Sequence, residues 1–90
     1  MDRRALPGQD LIETGLRDLA QGVESVPALL VSIGAPRLRR IGLAVEHPID
    51  APERRLYERL QAENPDAAHS RFNALVRRLV SFERAAECVK

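Results

Sequence analysis

The feature that most constrains the fold is a regular apolar stripe near the C-terminal end of the sequence. Its apolar residues are separated alternately by four and by three positions, over three heptads. This spacing places the side chains along one side of an α-helix, and no Gly or Pro interrupts it. We therefore predict a long amphipathic helix over 65–87, with Asn64 as its N-cap and Pro65 in its first turn. The stripe comprises Ala68, Phe72, Leu75, Leu79, Phe82, Ala86 and Val89.

Glycine and proline residues divide the rest of the chain into shorter helices. Apolar residues recur at helical spacing after Asp10, and Gly22 and Gly34 supply stop signals. Ser25 is a suitable N-cap for a helix that is apolar almost all round, which predicts a central place in the core. No segment has the pattern of a convincing strand. We expect these helices at about 10–21, 26–33, 36–41 and 51–63.

Two of the helix starts match the capping-box pattern, in which an N-cap residue and an acid three positions later cap each other's backbone amides. Asp10 with Glu13 fits the first helix. Asp50 with Glu53 fits the helix that begins near residue 51. Both pairs predict side-chain hydrogen bonds to the first backbone amides of their helices.

Together these segments predict an all-α fold, a small bundle of four to five helices with a long C-terminal amphipathic helix. The chain has 90 residues, of which 26 are Leu, Ile, Val, Phe or Met, enough for one domain with a small core. We expect a single domain over 1–90, with a flexible arm at 1–8 and a linker at 43–50 between the helical halves. Val45 and Ile49 should anchor that linker to the core.

The sequence also favours a particular compartment. The residues at the start lack the apolar core of a signal peptide, and the longest apolar run is far too short to span a bilayer. The single Cys excludes an internal disulfide framework and suits a reducing compartment. We expect a soluble bacterial protein of the cytoplasm that has no membrane contact.

Charge is unevenly distributed along the chain. The formal net charge is +1, and 13 of the 14 basic residues are Arg. Residues 37–40 carry three arginines, and residues 71–84 carry four arginines against one acid. Residues 46–66 carry six acids against three arginines. The small net charge of the whole chain therefore does not exclude a basic patch on one face of the protein.

A patch built from the two basic segments would give a small nucleic-acid-binding protein, which we keep as the alternative function. The competing interpretation is that these arginines pair with acids on neighbouring helices. The order helix, Gly34, helix resembles a helix-turn-helix motif, but Gly42 shortens the second helix to under two turns. The residues of the alternative are Arg37, Arg39, Arg40, Arg77 and Arg78.

Candidate catalytic and metal-ligating groups are few. His47 and His69 are the only imidazoles, and their spacing matches no metal-binding motif. Cys88 has no nearby His in the sequence, and no Gly-rich phosphate loop is present. His69, Asn73 and Arg77 follow one another at intervals of four, which is typical of a solvated helix face. We expect no catalytic residues, no metal and no cofactor, and hence no enzyme.

The function that we expect from the sequence is association. The long stripe offers more regular apolar surface than a monomer of four short helices needs, so a second surface should cover it. We expect a non-enzymatic interaction protein that forms a homodimer or docks to a partner protein through its C-terminal helix. Nucleic acid is the less favoured partner. The predicted partner-binding residues are Phe72, Leu75, Leu79 and Phe82, with Arg71 and Arg78 at the rim.

Overall fold

A computed structural model describes residues 6–89 of the chain and confirms the all-α prediction. This part of the chain forms five helices and no strand. The last helix is the longest, at 21 residues. The helices are α1 (Gln9–Ala20), α2 (Val26–Ile33), α3 (Ala35–Ile41), α4 (Pro52–Glu63) and α5 (Ala68–Cys88).

The core is built around α2, as its uniformly apolar sequence predicts. Ala28, Leu29, Leu30 and Val31 are all 0% exposed, so successive residues on every side of this helix are covered. A helix covered on every side needs several neighbours, and α2 packs against the other four helices. One hydrophobic cluster joins all five helices, with Ile12, Leu38, Leu56 and Phe82 among its members.

The pair α1 and α2 packs closely because α1 has a glycine at the contact. A Cβ built on Gly15 would lie 2.3 Å from the carbonyl oxygen of Pro27 and 2.8 Å from a methyl carbon of Val31. The clash with Pro27 involves backbone, which cannot rotate away. Gly15 therefore allows an approach that an alanine would prevent, which offsets its low helix propensity.

The N-cap of α2 is confirmed, whereas the capping boxes are wrong. Ser25 Oγ accepts a hydrogen bond from the Ala28 amide at 3.2 Å and donates to Asp18 Oδ2 at 2.6 Å. At α1 the N-cap is Gly8 in a left-handed conformation, with no side-chain cap. Asp10 consequently lies inside the first turn, two positions beyond the N-cap, and does not cap the helix.

The second capping box fails because Pro52 occupies the first helical position of α4. Ala51 is therefore the N-cap, with φ 49° and no side-chain cap. Asp50 lies outside the helix, and Glu53 comes one residue too early to reach back to the cap. The fixed φ angle of Pro52 favours the start of this helix, which has no side-chain capping hydrogen bond.

The last helix begins later than the sequence predicts. Asn64 Oδ1 accepts a hydrogen bond from the amide of Asp66 at 3.2 Å, which closes a tight turn after α4. Residues 65–67 complete that turn, and α5 starts at Ala68 with Ala67 as its N-cap. Asn64 thus uses its side chain for the turn, a role that competes with helix capping for this residue type.

The irregular segment between α3 and α4 is held to the core as predicted. Val45 is 4% exposed, and Ile49 packs against the core cluster. The Ile49 amide donates to Ser32 Oγ at 3.0 Å. Arg39 Nη2 donates to the Val45 carbonyl oxygen at 2.8 Å. Of the predicted arm, residues 1–5 lie outside the described residues, while Leu6 packs against the core.

The close approach at Gly15 leads to a test. Replacing Gly15 with Ala should destabilise the protein by about 1–3 kcal/mol, because the added methyl group forces α1 away from Pro27. In a helix without this contact the same change stabilises by up to about 1 kcal/mol. Chemical denaturation measures the difference in the free energy of unfolding.

Ala20→Gly on the exposed side of α1 serves as the control for helix propensity alone. It should cost no more than about 1 kcal/mol. A stabilised Gly15→Ala variant would contradict the close packing of α1 and α2.

Candidate interaction surface

The structure divides the predicted partner-binding residues between the core and the surface. Leu79 is 3% exposed and Phe82 is 6% exposed, so both face the chain's own core. Phe72 and Leu75 are half-buried and pack against the same core. The Phe72 ring meets Tyr57 of α4 edge-on, with 5.8 Å between the ring centroids. The apolar stripe is therefore covered largely from within, and Leu79 and Phe82 expose only a small part of their surface, each at the edge of a groove.

The two predicted rim arginines lie on different parts of α5. Arg71 Nη1 donates to Glu63 Oε1 at 2.8 Å, which links the start of α5 to the end of α4. Arg78 is exposed beside the start of α1, where it lines a shallow groove with Pro7 and Gly8. Because they flank different neighbours, these arginines do not frame one binding surface.

Part of the open apolar surface of α5 lies to one side of the stripe. Val76 and Val80 are half-buried, and neither is among the half-buried side chains that pack against the core cluster. With Ile33 and Pro36 they line a groove of about 290 Å³ between α3 and α5, which we name the α3–α5 groove. The sequence signal for it is the pair of valines that widens the heptad stripe on one side.

An ion-pair cluster closes one end of the α3–α5 groove. Arg37 of α3 donates from Nε to Glu87 Oε2 and from Nη2 to Glu87 Oε1, both at 2.8 Å. The same guanidinium reaches Glu83 Oε1 at 3.4 Å. The two bonds to Glu87 have the bidentate geometry in which a guanidinium matches a carboxylate. This pairing fixes α3 against the C-terminal half of α5.

Glu83 is a buried acid that the sequence did not single out. The residue is 4% exposed and lies against the α2–α3 corner, where a Cβ on Gly34 would be 2.8 Å from Glu83 Oε2. Burial raises the pKa of the Glu83 carboxyl, and the charge of Arg37 opposes that shift. At Glu87, by contrast, the hydrogen bonds from Arg37 lower the carboxyl pKa.

A similar pair joins α4 to the turn between α1 and α2. Arg55 donates from Nη2 to Glu24 Oε1 at 2.6 Å and from Nε to Glu24 Oε2 at 3.2 Å. These hydrogen bonds lower the pKa of the Glu24 carboxyl. Helix–helix pairing, the competing interpretation for Arg71 and Arg78, thus accounts for Arg71 and also for Arg37. Among residues 6–89, no carboxylate lies within ion-pair distance of Arg78.

The five arginines of the nucleic-acid alternative do not lie on one face. Arg37 is bound to Glu87, and Arg39 is bound to a backbone carbonyl in the irregular segment. Arg40 lines the α3–α5 groove. Arg77 and Arg78 line the groove beside Gly8, which lies across α5 from Arg40. The fold therefore does not bring residues 37–40 and 77–78 together in one continuous basic patch.

The two histidines stand in unrelated surroundings. His47 has a left-handed backbone, with φ 53°, and lines a groove of about 460 Å³ with Leu19, Val23 and Ile49. His69 lies in the first turn of α5, where its Nε2 is 3.2 Å from Asn73 Nδ2. Among residues 6–89, no group of three or more His, Cys, Asp or Glu side chains could hold a metal ion. Cys88, near the end of α5, is an exposed free thiol.

No helix in the described part of the chain is both long enough and apolar enough to cross a membrane.

Comparison with known proteins leaves the function to be argued from this chain alone: no family model matches it, and no curated protein or solved structure matches it significantly.

The opposite pKa shifts of Glu83 and Glu87 lead to a pH test. Because the folded-state pKa of Glu83 is raised, this carboxyl holds its proton more tightly in the folded protein than in the unfolded chain. Ionisation of Glu83 therefore lowers the free energy of unfolding as the pH rises from 4.5 through the folded-state pKa. Glu83→Gln removes this titration, so its stability relative to wild type should rise between pH 4 and pH 7.

Glu87→Gln is the matched control. The pKa of Glu87 is lowered in the folded state, so its charged form stabilises the fold above pH 4.5 and that contribution is lost as the pH falls. The Gln variant should lose stability at pH 7 and approach wild type in acid. Thermal denaturation across the range measures both trends, and equal trends for the two variants would contradict the described cluster.

Proposed function

We propose that this protein is a small, non-enzymatic helical interaction protein that binds another protein surface through its C-terminal helix. The observation that carries the proposal is the α3–α5 groove, where two valines of α5 are left open beside Ile33 and Pro36. An apolar groove between two helices is a common seat for a partner helix. The proposed interaction surface is therefore centred on Val76 and Val80, beside the stripe that the sequence favoured.

Homodimerisation and docking to a different protein are the two modes of this proposal, and the charges favour docking. A dimer through this groove would place the same surface of α5 on both subunits. Arg40 lines the groove, and Arg84 follows Val80 by one helical turn. Bringing these arginines of two copies together costs energy through like-charge repulsion.

The absence of catalysis and the cytoplasmic location are parts of the same proposal. His47, His69 and Cys88 lie in the irregular segment, at the start of α5 and at its end, so they offer no shared cleft for acid–base or nucleophilic chemistry. An exposed free thiol such as Cys88 is compatible with a reducing compartment such as the bacterial cytoplasm.

Photo-crosslinking in the native cell tests the interaction surface. A benzoylphenylalanine at position 84 lies beside the α3–α5 groove, whereas one at position 59 is on the exposed side of α4. We expect protein adducts from position 84 that disappear in the Val80→Asp background, and none from position 59. An adduct of twice the chain mass would assign the groove to a second copy, and equal labelling from both positions would contradict the proposal.

Nucleic-acid binding is the second candidate because Arg77 and Arg78 are exposed. No carboxylate among residues 6–89 lies within ion-pair distance of either guanidinium.

Heparin chromatography separates this candidate from protein docking. Because the arginines are split between two sides of α5, we expect the protein to pass through the column at moderate salt. Replacing Arg77 and Arg78 together with Gln should then change little. Retention that falls steeply with salt, and that is lost in this double variant, would support the nucleic-acid candidate.

A further inference from the structure

We propose that the occupant of the α3–α5 groove is an amphipathic helix of another protein that carries acidic residues beside its apolar side chains. This inference rests on the proposed function and adds the chemistry of the partner.

The apolar floor of the groove has the dimensions of a short helix contact. Val76 and Val80 are one helical turn apart, and Ile33 and Pro36 face them from the corner of α2 and α3. From Val76 to Glu83 the groove follows α5 for about 10 Å, or two turns. Two turns accommodate apolar side chains at positions i, i+3 and i+4 of a partner helix.

Two arginines beside the groove, which we call its basic rim, have no direct partner among the described residues. Arg40 lines the groove, and Arg84 follows Val80 by one helical turn. Within the part of the chain described, neither guanidinium group is within 4.0 Å of a carboxylate. A partner with acidic residues can supply the matching carboxylates.

The acids that belong to the groove neutralise this rim only in part. Glu87 uses both carboxylate oxygens on Arg37, and Glu83, a buried acid that lines the groove, also faces Arg37. Because one arginine faces two acids in this cluster, Arg40 and Arg84 leave the groove with a small positive surplus. Their guanidinium groups bind carboxylates in a bidentate geometry that a helix with Asp or Glu can present.

Other occupants fit less well. A second copy would bring Arg40 and Arg84 of both subunits to one interface, where like charges repel. A single-stranded nucleic acid would need rings for its bases to stack on, but Tyr57 and Phe72 contact one another between α4 and α5, away from the groove. The apolar floor can contact the apolar side of an acidic amphipathic helix, and the basic rim can pair with its acidic residues.

The test is a titration of the ¹⁵N-labelled protein with two helical peptides. Both carry Leu at positions i, i+3, i+4 and i+7, one with Glu at the flanking positions and the other with Lys. We expect the Glu peptide to shift the amide signals of residues 33–41 and 76–84, and the Lys peptide to bind at least about tenfold more weakly.

Variants of the rim arginines test whether the affinity for the Glu peptide depends on their charge. The double variant Arg40→Gln/Arg84→Gln should weaken binding of the Glu peptide about fivefold, since each exposed ion pair contributes modestly. Arg59→Gln, on the exposed side of α4, is the matched control and should leave the affinity unchanged. Arg40, Arg84 and Arg59 are all exposed, so the amide spectrum should retain the wild-type fold in each variant.

Three results would overturn the inference: equal binding of the two peptides, shifts confined to another surface, or no shifts up to millimolar peptide. Any of these, combined with position-84 crosslinks to another protein, would reject the acidic partner while leaving the proposed function intact. Loss of those crosslinks would reject the proposed function itself. A dimer that forms by sedimentation and is abolished by Val80→Asp would assign the groove to a second copy and also overturn the inference.

Discussion

The fold depends on the complete burial of α2, and that burial depends on how closely α1 can approach it. Residues 28–31 of α2 have no exposed surface, which requires neighbours on all sides of an eight-residue helix. Gly15 brings the α1 backbone against the Pro27 carbonyl, while α4 and α5 cover the remaining sides. With α2 enclosed in this way, most of the apolar stripe of α5 turns inward to complete the core, and its flank and its last residue, Val89, are left for other contacts.

The sequence predicts the helical architecture well because each helix carries its own periodicity and stop signals. The apolar pattern of α2 predicts its central place, and Ser25 predicts its start. The helix starts next to prolines are less predictable, since Asp50 and Asn64 satisfy the same composition rules whether they cap a helix or precede one. Pro52 and the turn at 65–67 decide these boundaries through backbone geometry.

The candidate surface is harder to predict than the fold because periodicity shows which side of a helix is apolar but does not show what covers it. Leu79 and Phe82 lie on the stripe and are used by the core, whereas Val80 lies beside it and is left open. Ion pairs between distant residues are equally hard to predict. Arg37 and Glu87 are 50 residues apart in the chain, and only the packing of α3 on α5 brings them together. Buried Glu83 had no distinguishing mark in the sequence.

Ser32 has a consequence that reaches beyond α2. Its hydroxyl donates to the Ala28 carbonyl at 2.9 Å and accepts the Ile49 amide at 3.0 Å, so one buried side chain joins the central helix to the irregular segment. Detaching that segment at Ile49 would break this hydrogen bond and expose the apolar side chain of Ile49, and both changes cost free energy. The stretch of chain without helical structure should therefore open less readily than a surface loop that has no such link to a central helix.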